Sequence, residues 1–347
     1  MSVASSSAAN PQHRPIAYWL LACCVLVFAM VVLGGVTRLT GSGLSMVTWE
    51  PIVGTVPPLS QDAWQDTFQQ YQHTPEYQKK NLGMTLPEFK GIFWFEYAHR
   101  LLGRSIGVVF LLPFLYFLFK RRIDKPMAPK LITIFLLGGL QGVLGWYMVA
   151  SGLVDNPHVS QYRLTAHLSA AFLIYAYMFW VALGLLYPQR EAGPELRPLC
   201  RFTHLATGLI TLTVLSGGFV AGLKAGFTYN TFPLMDGHWI PLTYWMEEPA
   251  WKNFFENIAA VQFDHRLLAI STMALVIVLW IKSRTYTVPS RARLGLNLLL
   301  AMTLLQVTLG ISTLLLLVPI PLASAHQAGA LVLFTLALFT MHALRRR

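Results

Sequence analysis

Four histidines lie inside strongly apolar segments of this chain: His99, His167, His265 and His326. Each sits roughly four to nine residues, about 6–14 Å of helix, past the start of its segment. One buried imidazole is readily a hydrogen-bonded packing group, but four at matching depth point to coordination. Imidazoles on two different helices can take the opposite axial positions of one haem iron. A zinc site recruits three or four protein ligands. Here each half of the chain offers two histidines, with no cysteine and no acidic cluster beside them. The pairing is therefore His99 with His167 and His265 with His326, giving two porphyrin sites. The other six of the ten histidines read as solvated or interfacial: His13, His73, His158 and His238 in polar connections, His204 and His342 near helix ends.

The neighbours of these ligands differ between the halves. Arg100 and Arg266 directly follow a histidine, and Arg163 lies one turn before His167. Guanidinium groups suit the two propionates of a haem; the competing role is snorkelling toward lipid headgroups. Glu96 precedes His99 by three residues and shares its helix face, whereas the second half has Gln262, which cannot ionise. A carboxylate kept in one site only marks that site for chemistry, as a proton carrier or a stabiliser of developing positive charge. A structural i,i+4 ion pair with Arg100 is the alternative. Asp264 points about 100° away from His265 on an ideal helix and is read as orienting a neighbouring arginine.

The elements that must hold these residues are membrane spans. The 347 residues are 55% hydrophobic and only 12% charged, against about 25% charged in soluble domains. Eight windows are long enough to cross a bilayer: residues 16–36, 92–119, 130–150, 163–187, 202–222, 257–281, 294–315 and 322–343. "VPIP" (318–321) makes the last two a hairpin. The net charge of +11 is concentrated in alternate connections, such as "KRRIDKPMAPK" (120–130), while the loop acids occupy the others. By the positive-inside rule both termini are cytoplasmic, and the basic excess reports topology, not nucleic-acid binding. All four histidines then sit toward the periplasmic side. A shared depth disfavours electron transfer across the membrane. Cys23, Cys24 and Cys200 form no external disulfide framework. The first apolar stretch reads as a retained helix, not a cleaved signal.

The chain also repeats itself. "GGVTRLTGSGL" (34–44) matches "GGFVAGLKAGF" (217–227), "EYAHRLL" matches "QFDHRLL", "LQGVLGWYM" (140–148) matches "LQVTLGIST" (305–313), and "LTAHLSAA" matches "ASAHQAGA". The order is that of a parallel repeat. The expected fold is an all-α integral membrane protein of eight transmembrane helices in two parallel-repeat four-helix bundles, residues 1–187 and 188–347. Connection 37–91 contains an amphipathic stretch (62–72) expected on the outer membrane surface, and the aromatic connection 223–256 is expected to cap the outer end.

E-x-x-H-R at Glu96–Arg100, "GGVTRLTGSGLSM" (34–46), "YNTFPLMDGHWIP" (229–241) and the late "FDHR" and "SAHQ" together resemble the heme A synthase family over residues 16–344. "LPEFKGIFWFEYAHR" (86–100) is similar to its proteobacterial and mitochondrial branch, and the external cysteine pair of some relatives is missing. The resemblance implies an oxidoreductase that converts haem O to haem A by successive methyl hydroxylation. It implies His99 and His167 at the substrate site, Glu96 as catalytic carboxylate, and His265 and His326 as ligands of a haem b cofactor. It further implies a bacterial inner-membrane location, a role in cytochrome c oxidase assembly, and heme O synthase as a partner. Membrane lipid and a second copy of the chain complete the partners considered. Two other functions compete: a two-haem membrane cytochrome fed by quinol, and a haem carrier or assembly factor.

Overall fold

A computed structural model describes residues 11–47, 53–151, 159–189 and 192–345. Among these residues the chain is overwhelmingly helical, and Met235 and His238 form an isolated β-bridge. Eight long helices match the expected spans: α1 (Arg14–Leu39), α4 (Leu86–Phe119), α5 (Ala128–Ala150), α6 (Gln161–Leu186), α7 (Arg197–Gly222), α8 (Ile258–Ser283), α9 (Ser290–Leu315) and α10 (Ile320–Ala343). Two short ones, α2 (Gln61–Gln72) and α3 (Pro75–Lys79), lie in the first long connection. All eight long helices are long and apolar enough to cross a membrane, and the chain is a multi-pass membrane protein.

The helices begin where local chemistry starts them. The backbone N–H of Thr85 donates to the Glu88 carboxylate at 2.8 Å at the start of α4, half of a capping box. The Asn257 side chain accepts from the Ala259 and Ala260 amides at the start of α8. Proline opens α1, α5, α7 and α10, where its missing N–H costs nothing. These starts lie a few polar residues before the apolar windows, so most helices are longer than hydropathy alone indicates. Between α9 and α10, Leu317 and Val318 both adopt left-handed backbone (φ 61° and 58°), turning the chain within four residues.

Packing gives the bundle a centre and two flanks. Helices α1, α6, α7 and α10 contact one another at its centre, with α4 and α5 flanking on one side and α8 and α9 on the other. Within the first four long helices the contacts run α1–α4, α4–α5, α5–α6 and α6–α1; within the second four they run α7–α8, α8–α9, α9–α10 and α10–α7. The central core includes Leu20, Met178, Leu199, Leu279 and Leu296. Outer faces stay apolar and open, as at Leu136 (64% exposed) and Phe119 (79%), the inverse of a soluble bundle. Direct bonds join the two sets of helices. The Arg38 guanidinium donates to the Ala221 carbonyl at 2.6 Å, and the Gln327 amide donates to the Val31 carbonyl at 2.6 Å.

Three expectations need correction. The amphipathic helix α2 does not reserve its apolar face for lipid. Trp64, Phe68 and Tyr71 are buried against Phe89 and Phe93 of α4, with Trp64–Phe93 and Tyr71–Phe89 ring centroids 4.9 and 5.0 Å apart. Helix α4 starts before its apolar window, and α2 covers that extension at Phe89 and the window's outer end at Phe93. His342 is 1% exposed instead of interfacial, because the end of α10 sets it edge-on to Trp180 of α6 at 5.1 Å. Asp264 accepts from the Tyr244 hydroxyl at 2.8 Å, so it ties α8 to the 223–256 connection instead of orienting an arginine. His158 lies outside the described residues.

Candidate active site

The four histidines come from the second and fourth long helix of each set: α4 and α6, then α8 and α10. His99 and His167 are close enough to feel each other's charge, as are His265 and His326. Each ring lies over a glycine of a neighbouring helix. A Cβ on Gly34 would stand 2.9 Å from His99 Cε1, one on Gly145 3.0 Å from His167 Cε1, one on Gly217 3.2 Å from His265 Cε1, and one on Gly310 2.9 Å from His326 Cε1. Those distances are below ordinary carbon contact, so the rings occupy space that any larger residue would fill. Close backbone approach by glycine is what such membrane interfaces require. The second glycine of each pair serves the junction between the sets, with Gly35 under Gln327 and Gly218 under Thr165.

Glutamines brace the fourth-helix histidines from the facing helix. Gln141 donates to the His167 carbonyl at 2.9 Å, and Gln306 to the His326 carbonyl at 2.8 Å. Among the described residues, no three His, Cys, Asp or Glu side chains gather where they could hold a metal ion. The donors come in twos, half-buried between helices, each backed by a glycine. This donor set fits an axially ligated haem.

Glu96 is 3% exposed, and four donors converge on its carboxylate. Arg100 supplies Nε at 3.0 Å and Nη2 at 2.5 Å, Ser45 its hydroxyl at 2.7 Å, and Met46 its backbone N–H at 2.9 Å. The i,i+4 ion pair anticipated from the spacing is formed. Arg100 also donates to the Met46 carbonyl at 2.9 Å. The second set builds the same clamp from an amide. Gln262 donates to the Ala225 and Thr228 carbonyls at 2.8 and 2.7 Å, while Arg266 donates to the carbonyls of Tyr229 at 2.6 Å and Thr231 at 2.8 Å. Met46 and Tyr229 each follow the first glycine of their pair by the same interval. Arg266 Nε is buried with no hydrogen-bond partner among the described residues, a donor left for an incoming anion. Arg163 lies over the Tyr147 ring, 5.3 Å from its centroid.

Residues 17–338 match the family COX15-CtaA, described as cytochrome oxidase assembly protein. The chain is 62% identical to a heme A synthase of Nitrosospira multiformis across 96% of this chain and 95% of that protein. It is 52% identical to a heme A synthase of Paramagnetospirillum magneticum, across 100% and 98%. It is 48% identical to the human heme A synthase COX15, across 96% and 83%. The chain belongs to the heme A synthase family.

Within this heme A synthase fold some site residues escaped the sequence reading. Ser45, Gln141 and Gln306 are ordinary polar residues in sequence; only the shared "LQ" of the repeat marks the two glutamines. Glu76 of α3 is buried under the outer connection, bonded to the Tyr71 hydroxyl at 3.3 Å, and burial pushes its carboxyl up to about 7. Lys80, Lys224 and Glu96 lie within its electrostatic reach, so the two outer connections meet beside the first site. A separate cavity of about 500 Å³ opens at the other end of the bundle, lined by His13, Asp124, Lys130, Trp180 and Arg345; it touches none of the four histidines.

Proposed function

We propose that the chain is a heme A synthase: it oxidises a methyl substituent of haem O to a formyl group, giving haem A for cytochrome c oxidase assembly. The observation that carries this is the set of four histidines, two per set of helices, each ring seated on a glycine, in a chain whose relatives are heme A synthases from end to end. The two sets of four helices are copies of one unit, meeting near residues 187–188. The repeated contact order, the repeated glycine–histidine seats and the repeated arginine-to-loop bonds support that reading.

In this reading His99 and His167 hold the haem O substrate and the haem A product, and His265 and His326 hold haem b. Haem b, when bound, supplies one-electron redox chemistry to the first site. The residues of the chain do the rest. His99 and His167 fix the height and tilt of the porphyrin. Glu96 places a carboxylate one turn from His99, where it takes up a proton or balances positive charge as the methyl carbon is oxidised. Arg100 holds Glu96 in place, and Arg266 would offer its buried Nε to a propionate of haem b. Arg163 offers a third guanidinium on the ligand-bearing face of α6. Both sites lie toward the periplasmic face of a bacterial inner membrane, with the termini cytoplasmic, and heme O synthase delivers the substrate.

The test is a reconstituted reaction. Full-length protein, purified haem O and a defined reductant are incubated, and the porphyrin is extracted for mass analysis. Formation of the hydroxylated and then the formyl product supports the assignment. Unaltered haem O, with haem b as the sole native pigment, refutes it in favour of a simple cytochrome.

A further inference from the structure

His99 and His265 are presented alike but are not partnered alike. Both rings sit over the first glycine of a Gly-Gly pair, with a Cβ there 3.4 Å from His99 Nδ1 and 3.7 Å from His265 Nδ1. In the second set, His265 Nδ1 lies 2.8 Å from the Ser216 hydroxyl. That hydroxyl donates to the Thr213 carbonyl at 2.8 Å and in that arrangement accepts from the imidazole, while the Thr213 carbonyl, itself a hydrogen-bond partner of His265, calls for the same proton. The bond therefore selects the tautomer with hydrogen on Nδ1 and leaves the Nε2 lone pair free to bind a metal. In the first set the residue before the glycine is Leu33, and His99 Nδ1 is buried with no hydrogen-bond partner among the described residues.

We propose that Ser216 is a positioning residue that makes the second site retentive, and that Leu33, in the same place of the first site, leaves His99 free to release its porphyrin. This rests on the reading that His265 and His326 hold haem b. An acceptor on Nδ1 fixes the ring and raises the basicity of Nε2, which strengthens the axial bond and favours the ferric iron of the pair. A resident cofactor needs that grip. A site that must take in one porphyrin and give up its product does not. The fourth helices add less: Gln306 approaches His326 Nδ1 at 3.2 Å, but an amide N–H aimed there addresses the other tautomer, and this contact carries none of the weight.

The experiment compares full-length Ser216→Ala, Ser216→Thr and Leu33→Ser with the unaltered protein, using His265→Ala as the control. Haem b content, its rate of transfer to apomyoglobin and its midpoint potential are measured. Ser216→Ala should purify with haem b but lose it roughly tenfold faster, the lower end of the effect of removing an outer-shell partner, with a raised midpoint potential. Ser216→Thr keeps the acceptor and should restore both. Leu33→Ser should slow release of haem O or haem A from the first site. If His265→Ala loses haem b while Ser216→Ala matches the unaltered protein in transfer rate and potential, Ser216 has no such role and the site assignment stands. If His265→Ala keeps its full haem b, the assignment of the second site falls, and this inference with it.

Discussion

The two clamps beside the first histidine-bearing helix of each set do the same mechanical work with different side chains. In one, Glu96 accepts from Ser45 and Met46; in the other, Gln262 donates to Ala225 and Thr228. Each is followed four residues later by an arginine that reaches the same loop. A neutral amide is thus sufficient to fasten a loop over a histidine-bearing helix. The carboxylate adds a negative charge that fastening does not require, and that surplus is the reason to assign Glu96 chemistry as well as structure.

The largest effects should come from the ligands themselves. His265→Ala or His326→Ala should strip haem b almost completely, while His99→Ala or His167→Ala should spare haem b and abolish retention of haem O and haem A. Pigment extraction with chromatography of each variant measures this. Equal haem b loss from all four variants would erase the division between the sites.

Glu96→Gln comes next, because it converts the first clamp toward the second. Formyl production should fall by about 10²–10⁴-fold, the usual contribution of a positioned acid or base, with haem b content unchanged. Some stability should also be lost, since a buried charge pair broken on one side costs about 3–5 kcal/mol; the amide's own hydrogen bonds keep the real figure at the low end. The converse exchange, Gln262→Glu, should be purely destabilising. It sets carboxylate oxygens against two carbonyls and leaves that of Thr228 unpaired, at about 1–3 kcal/mol, while the Ala225 carbonyl keeps the Thr228 amide and hydroxyl; the loss is visible as a lower Tm in detergent. A gain of activity in that variant would overturn the comparison.

Gly34→Ala and Gly217→Ala test the seats that the two sites share. A methyl group would stand 2.9 Å and 3.2 Å from the respective ring carbons, an overpacking cost of about 1–3 kcal/mol. Gly217→Ala should shift the low-spin electron paramagnetic resonance signal of haem b, and Gly34→Ala should leave it unchanged. Identical spectra for the two variants would mean that the seats do not address separate porphyrins.

The spans were legible in apolar length, and the four histidines stood out for a similar reason, a repeated local pattern of H-R-L-L and A-H. What was hidden depends on contacts across long stretches of chain. Nothing near Tyr244 announces that its hydroxyl reaches Asp264, and nothing near Ser216 distinguishes it from any serine in an apolar helix until His265 is seen beside it. The period of Trp64, Phe68 and Tyr71 showed an apolar face, but not that Phe89 and Phe93 would cover it. His342 departs from the sequence expectation for the same reason, since helix ends near a membrane surface are buried or open according to which neighbour passes.

The smallest expected effect tests whether the difference between the halves extends to their outer connections. Glu76 is buried and its carboxyl is pushed up to about 7, chiefly by loss of water, against Lys80 and Lys224 and alongside Glu96. An opened outer segment would return Glu76 to an ordinary carboxyl value of about 4.3. Between that value and about 7 the opened form releases a proton that the closed form keeps, so raising the pH through this window favours opening. Above about 7 both forms are ionised and the trend stops. Hydrogen-exchange protection over residues 61–79, corrected for the intrinsic pH dependence of exchange, should therefore fall by up to tenfold per pH unit between pH 5 and 7. Glu76→Gln should flatten that slope without moving haem b content. A slope that persists in the variant would assign the titration to a group other than Glu76 and leave the outer connection of the first half without the distinction drawn here.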